Sequence, residues 1–243
     1  MIRLDRYLVT LGCGSRSVLQ KQIRAGAAVV DGQTVRDPGF GCRENAEIIW
    51  NGTPLDTRLI RHVMLYKPEG LLTAARDRKQ PTVMDLLPEV YASIGCMPVG
   101  RLDKDTTGLL LLTTDGELNH RLLAPGRHVD KTYLARVDGP LGSAEITAFA
   151  HGLTLSDFIA QPADLEILSS SAAESEARVT VHEGKFHQIK RMFEAVSRTV
   201  TALHRESFGP LTLDPQLKPG TWRELTEREI RAMYESAHME AKQ

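Results

Sequence analysis

The chain has 243 residues, of which 42% are hydrophobic and 25% are charged, and its formal net charge is −1. These values are ordinary for a soluble globular protein, and the length suits a large domain with or without a smaller one. The chain has no run of 18 apolar residues, and its first six residues include charges where a signal peptide is apolar, so we expect a cytoplasmic protein without a membrane span. Its cysteines, Cys13, Cys42 and Cys96, are odd in number and widely spaced, which argues against a disulfide framework or a zinc site.

Basic residues are concentrated near the amino terminus, although the chain as a whole is nearly neutral. Residues 1–36 carry a net charge of +4. The basic residues of this segment are Arg3, Arg6, Arg16, Lys21, Arg24 and Arg36. A locally basic end on a nearly neutral protein is typical of a nucleic-acid contact surface.

Two short helices are predicted before residue 26. Leu4, Tyr7, Leu8 and Leu11 have the spacing of one helical face. Ser15 or Ser17 is expected to cap the second helix. A capping box between Ser17 and Gln20 is one possibility, and the apolar side would be Val18, Leu19 and Ile23. Arg16, Lys21 and Arg24 fall on the remaining surface of this helix.

A hairpin follows, because Asp31-Gly32 suits a turn with positive φ between the apolar segments 28–30 and 34–35. Two short helices and a hairpin within about 55 residues resemble the S-four (S4) RNA-binding domain. A small α+β cap with a solvated helix fits the same pattern. On the RNA-binding interpretation, Arg3, Arg16, Lys21 and Arg24 contact phosphates.

Residues 58–62 are predicted to link a domain at 1–57 to a second domain at 63–243. Strands are expected at 63–66, 131–137, 178–183 and 199–205, and helices at 82–87, 117–123, 144–151, 186–197 and 226–236. In the helix at 186–197, Phe186, Ile189, Phe193 and Val196 should face inward. The elements do not follow a regular βαβ period, which favours an α+β fold with a mixed, mainly antiparallel sheet flanked by helices.

Residues 100–116 join a polar loop to a buried strand. The loop contains Arg101, Asp103 and Asp105, the leucines at 109–112 predict the strand, and Asp-Gly at 115–116 ends it. A carboxylate in such a loop is often a solvated turn residue or a cap. Asp-x-Asp also suggests a metal site, but the stretch lacks the glycine and distal glutamate of a calcium loop.

As a complete string, Gly-Arg-Leu-Asp-x-Asp-Thr-Thr-Gly-Leu-Leu-Leu-Leu-Thr-x-Asp-Gly resembles the catalytic motif of the RsuA-type pseudouridine synthases, which isomerise uridine in ribosomal RNA. Lys-Thr-Tyr-Leu at 131–134 and the string at 183–193 match further motifs of that family, in the same order. Separately, these two strings also fit a core tyrosine and a solvated helix face. Together with the S4-like segment, the resemblance covers essentially the whole chain.

The resemblance implies roles for particular residues. Asp103 would be the catalytic carboxylate, Tyr133 would pack against the flipped base, and Lys190 would supply the positive charge beside Asp103. Many relatives have arginine at that last position, and lysine pairs as a point charge instead of a bidentate fork. The residues predicted to bind RNA are Arg101, Arg3, Arg16, Lys21, Arg24, Lys67, His187 and Arg191.

The implied reaction is an isomerisation, so we expect neither a cofactor nor a metal. The expected partner is ribosomal RNA, of the small subunit or an assembly intermediate, bound by a monomer. The same reaction on large-subunit RNA and a non-catalytic RNA-binding assembly protein are the alternatives. A carboxylate-dependent hydrolase with Asp105 as second carboxylate is a further hypothesis. Whether Asp103 would attack the sugar or the base stays open.

Overall fold

The computed structural model describes residues 1–124 and 129–241. The helices are α1 (Leu4–Thr10), α2 (Arg16–Arg24), α3 (Glu89–Ser93), α4 (Gly116–Leu123), α5 (Ser143–His151), α6 (Gln188–Ala195) and α7 (Glu227–Ser236), with a 3₁₀ helix at Val83–Leu86. The strands are β1 (Ile2–Arg3), β2 (Ala28–Val30), β3 (Gln33–Val35), β4 (Gly41–Cys42), β5 (Ile48–Trp50), β6 (Thr53–Pro54), β7 (His62–Lys67), β8 (Met97–Pro98), β9 (Thr106–Thr113), β10 (Lys131–Asp138), β11 (Asp164–Ser170), β12 (Glu174–Val181), β13 (Val200–Phe208), β14 (Leu211–Thr212) and β15 (Trp222–Glu224). Within these ranges, no helix is both long and apolar enough to cross a membrane.

The amino-terminal segment packs α1 and α2 with a small sheet of order β3-β2-β5-β6. The predicted helical face of α1 is confirmed, because Leu4, Tyr7 and Leu8 are fully buried. The predicted hairpin is also present, with positive φ at both turn residues between β2 and β3.

Helix α2 differs from its prediction at two points. It begins at Arg16 after Ser15, and the Gln20 amide donates to the Asp5 carboxylate at 2.7 Å, so the capping box between Ser17 and Gln20 is wrong. Val18 is half-exposed, because a helix of this length can turn only one side to the small core. Leu19 and Ile23 are buried as predicted.

The large sheet has the strand order β11-β12-β10-β13-β9-β7-β15, with β14 beside β13 and β8 beside β9. Among the described residues, β9 and β13 pair in parallel and the other named pairs are antiparallel. The predicted mixed, mainly antiparallel α+β fold is therefore confirmed.

Strand β9 runs through the centre of this sheet and is longer than the sequence predicted. Its leucines alternate between two cores: Leu110 and Leu112 face one, and Leu109 and Leu111 face the other. The strand begins at Thr106 because Gly108 allows β13 to approach. A Cβ atom on Gly108 would lie 2.6 Å from the backbone nitrogen of Arg205, and its φ is +106°.

Candidate active site

The loop that carries Asp103 is held by the segment that follows β7. The Thr106 N–H donates to the Asp103 carbonyl at 3.1 Å, which closes a turn just before β9. The Thr73 hydroxyl donates to the Leu102 carbonyl at 2.7 Å and accepts from the Leu102 N–H at 3.2 Å. The Gly70 N–H donates to the Lys104 carbonyl at 2.8 Å. These backbone contacts on both sides of Asp103 fix the position of its carboxylate.

Lys67 lies under this loop. Its side chain is fully buried, and Nζ donates to the carbonyls of Lys104 and Thr106 at 3.3 and 2.9 Å and to that of Pro68 at 3.0 Å. The prediction that Lys67 binds RNA is therefore wrong, because its ammonium group has no access to a phosphate. Burial lowers the pKa of Lys67 to about 8.

Two side chains from the start of α6 approach the Asp103 carboxylate. Lys190 Nζ lies 3.7 Å from Oδ2 of Asp103, and His187 Nε2 lies 3.5 Å from Oδ1. His187 directly precedes α6 and Lys190 lies in its first turn, so the start of this helix brings both side chains to the same carboxylate. The Asp103 side chain is 28% exposed, so a substrate can still contact it.

Asp105 takes part in this cluster in a way that the sequence did not indicate. Both of its oxygens accept from Lys190 Nζ, at 2.6 and 2.7 Å, which makes Asp105 the nearer partner of that lysine. The hydrogen bond from Lys190 lowers the pKa of Asp105 below its ordinary value. One cation therefore serves two carboxylates, with Lys190 only 19% exposed.

Tyr133 lies in β10, between Arg205 of β13 and Val179 of β12. Its side chain is only 8% exposed and belongs to the same apolar cluster as Leu102 and Ile189. Leu102 directly precedes Asp103, and Ile189 lies in the first turn of α6. The tyrosine thus forms part of the apolar support of the site, with a small accessible portion.

Several residues predicted to contact RNA have partners inside the protein. Arg3 and Arg16 each donate to the buried Asp5 carboxylate at 3.1 Å, and the hydrogen bond from Arg3 holds the pKa of Asp5 well below its usual range. Arg191 pairs with Asp157. Their structural roles were missed, because sequence spacing does not show which acid a basic side chain meets.

Other predicted RNA contacts lie on the surface. Arg101, Lys21 and Arg24 are exposed. Their exposure is compatible with phosphate contact, and their role in RNA binding stays a prediction. Thr73 was missed altogether, since a threonine between two loops carries no recognisable pattern.

Comparison with known proteins places these features in context. Residues 61–195 match the family model described as RNA pseudouridylate synthase, and residues 2–48 match the S4 domain model. The ribosomal small subunit pseudouridine synthase A of Pseudomonas aeruginosa is 42% identical over 240 residues, covering 94% of this chain and 99% of the relative. The uncharacterized RNA pseudouridine synthase YtzG of Bacillus subtilis is 39% identical over 96% of this chain and 99% of its own length.

A solved structure shares the architecture. The crystal structure of a pseudouridylate synthase aligns with a TM-score of 0.67 at 34% identity, and the alignment covers 96% of this chain and all of the other. The sequence relatives and this structure thus agree over both the amino-terminal segment and the large sheet.

Proposed function

Since the chain belongs to the RNA pseudouridylate synthase family, we propose that it converts one uridine of small-subunit ribosomal RNA to pseudouridine. The S4 match supports RNA as the substrate, and the Pseudomonas aeruginosa relative supports the small subunit through its name. Work on ribosomal RNA would place the protein in the cytoplasm. We assign RNA capture to residues 1–57 and the chemistry to residues 63–243; the predicted linker 58–62 overlaps β7 at His62, which opens the catalytic sheet.

The observation that carries the proposal is the arrangement around Asp103. A partly exposed carboxylate is fixed through its own backbone, while a lysine of α6 and the histidine that precedes this helix approach it at 3.7 and 3.5 Å. Preorganised charges of this kind stabilise charge that develops during a reaction. An RNA-binding protein without catalytic activity would not require a lysine and a histidine beside this carboxylate.

The reaction exchanges one bond of the base for another. The bond between N1 of uracil and C1′ of ribose breaks, the base turns, and a bond forms between C5 and C1′. The C5 proton is lost and N1 gains one, so atoms and electrons balance without an oxidant. An ionised Asp103 serves either as the nucleophile or as the stabiliser of the sugar cation.

Lys190 contributes a positive charge to this site. Its ammonium lies 3.7 Å from Oδ2 of Asp103, where a cation stabilises negative charge that develops during the reaction. Lys190 provides that cation while Asp105 holds its ammonium in place with two short contacts. In this proposal Tyr133, which keeps a small accessible portion, packs against the flipped uracil, and the exposed Arg101 holds the displaced nucleotide.

The hydrolase hypothesis is less well supported. It needs a second carboxyl group that donates a proton. Asp105 is instead the acceptor of Lys190, which lowers its pKa and keeps it ionised. If Asp105→Ala retains isomerisation, Asp105 is not a required general acid.

The deciding experiment is pseudouridine mapping of ribosomal RNA from cells that lack the gene. The strain is complemented with wild type or with Asp103→Asn, an isosteric change that removes the charge. We expect one small-subunit pseudouridine to disappear and to return only with wild type. If a large-subunit pseudouridine disappears instead, the substrate is large-subunit RNA. If the pseudouridine map does not change, the protein binds RNA without modifying it.

A further inference from the structure

An exposed aromatic ring stacks on the histidine that contacts the proposed catalytic carboxylate. Phe186 was predicted to face the core from the first turn of a helix, but this is wrong: α6 begins at Gln188, and the Phe186 side chain is 67% exposed. Its ring stacks on His187 with centroids 3.8 Å apart and planes 18° from parallel. Because His187 contacts Asp103, the stack extends from the reacting group to the surface.

The turn that presents these rings is held in place. The buried Gln188 side chain accepts from the Lys185 N–H at 3.0 Å and donates to the Glu183 carboxylate at 2.9 Å. The same oxygen of Glu183 accepts from the Gln161 N–H at 2.9 Å. His187 adopts a left-handed conformation, with φ +51°. A non-glycine residue keeps such a conformation when its surroundings impose it, and such positions concentrate at functional sites.

Packing does not account for the position of Phe186. An aromatic side chain with most of its surface in water contributes little to a core, and the surface next to a substrate site is where such rings contact ligands. Lys185, the preceding residue, is also exposed, and its ammonium lies over the Phe158 ring, 5.7 Å from the centroid. An exposed aromatic face is a surface on which proteins stack the bases of unpaired nucleotides.

We infer that Phe186, supported by His187, is a stacking platform for an unpaired nucleobase that flanks the target uridine. The inference rests on the proposed function. Flipping the uridine out of its stack leaves a neighbouring base without a partner. Single-stranded RNA bases stack on aromatic side chains, and the exposed face of Phe186 offers such a surface. The platform therefore compensates part of the unstacking that base flipping requires.

The test compares Phe186→Ala, Phe186→Leu and Phe186→Trp in the full chain. Affinity is measured with an unmodified transcript of small-subunit ribosomal RNA, and pseudouridine formation is measured in single turnover on the same RNA. Leu168→Ala is the matched control, because Leu168 is an exposed apolar residue on β11, at the far edge of the sheet from β9. Circular dichroism checks that each variant is folded.

We expect Phe186→Ala to weaken binding about 5- to 150-fold, the range for stacking of one base on an aromatic ring. Phe186→Leu should be nearly as weak, since it is apolar but has no π face, whereas Phe186→Trp and Leu168→Ala should bind as wild type does. The inference is overturned if Phe186→Ala binds within twofold of wild type, or if leucine restores affinity as well as tryptophan.

The two readouts separate this inference from the proposed function. If wild type forms no pseudouridine but Phe186→Ala still binds more weakly, isomerisation is refuted and the stacking contact stands. If wild type is active and all Phe186 variants bind and react equally, the reaction stands and the platform is refuted.

Discussion

Lys67→Met should reveal a buried charge through the pH dependence of folding. Lys67 is fully buried, and its pKa falls from 10.5 to about 8. Between these two values the unfolded chain binds more protons than the folded one, so the free energy of unfolding of wild type rises with pH. A shift of this size corresponds to about 3 kcal/mol. The destabilisation caused by burying the charged lysine is present in full below pH 8 and is gone above pH 10.5.

The assay is urea unfolding of wild type and Lys67→Met at pH 7, 8, 9 and 10, followed by tryptophan fluorescence. Taking the difference between the two proteins at each pH removes the contribution of other groups, including Lys131, whose pKa burial also lowers to about 8. Between pH 7 and pH 10 we expect the free energy of unfolding of wild type to rise by about 2–3 kcal/mol relative to that of the variant.

The control is Lys79→Met, which removes an exposed lysine. Its removal should change the free energy of unfolding little, because the side chain is exposed. A difference between wild type and Lys67→Met that does not change with pH would refute the reasoning, because a buried ammonium cannot titrate in this range without changing stability. The variant also lacks the donor that holds the Asp103 loop, so its turnover should fall.

Three further changes test the site and the fold. Gly108→Ala should lower the free energy of unfolding by about 3 kcal/mol or more, because its Cβ would collide with the β13 backbone; urea unfolding measures this, with Gly116→Ala as the uncrowded control. Lys190→Met should slow pseudouridine formation roughly 100-fold and change RNA affinity little, as single-turnover rates and filter binding would show. Combined Lys21→Ala and Arg24→Ala should weaken RNA binding and reduce the slope of log affinity against log salt by about 2.

Each of these predictions has a contrary result. Equal stability of the two glycine variants would mean that β9 and β13 can separate without cost. Equal losses of rate and affinity in Lys190→Met would remove the lysine from the chemistry. An unchanged salt slope would mean that RNA does not dock on α2. Arg16 is left out of that double variant, because it supports the buried Asp5 and its removal would disturb folding.

The sequence alone predicted the elements that depend on local patterns. The spacing of Leu4, Tyr7 and Leu8 predicted α1, and Asp31-Gly32 predicted the hairpin, since helical periodicity and turn conformations are properties of neighbouring residues. The order of the motifs also predicted the family. Helix starts were less accurate: Phe186 fits the helical period of α6, yet it lies outside that helix in the structure.

Only the tertiary structure decided which polar atoms meet. Lys67 seemed suited to a phosphate, but the pairing of β7 with β9 buries it beneath the loop that carries Asp103. Lys190 was expected beside Asp103 alone, and it lies nearer to Asp105. Such contacts join residues far apart in the chain. They depend on strand order and register, which arise from burial over the whole sheet, and no local pattern encodes them.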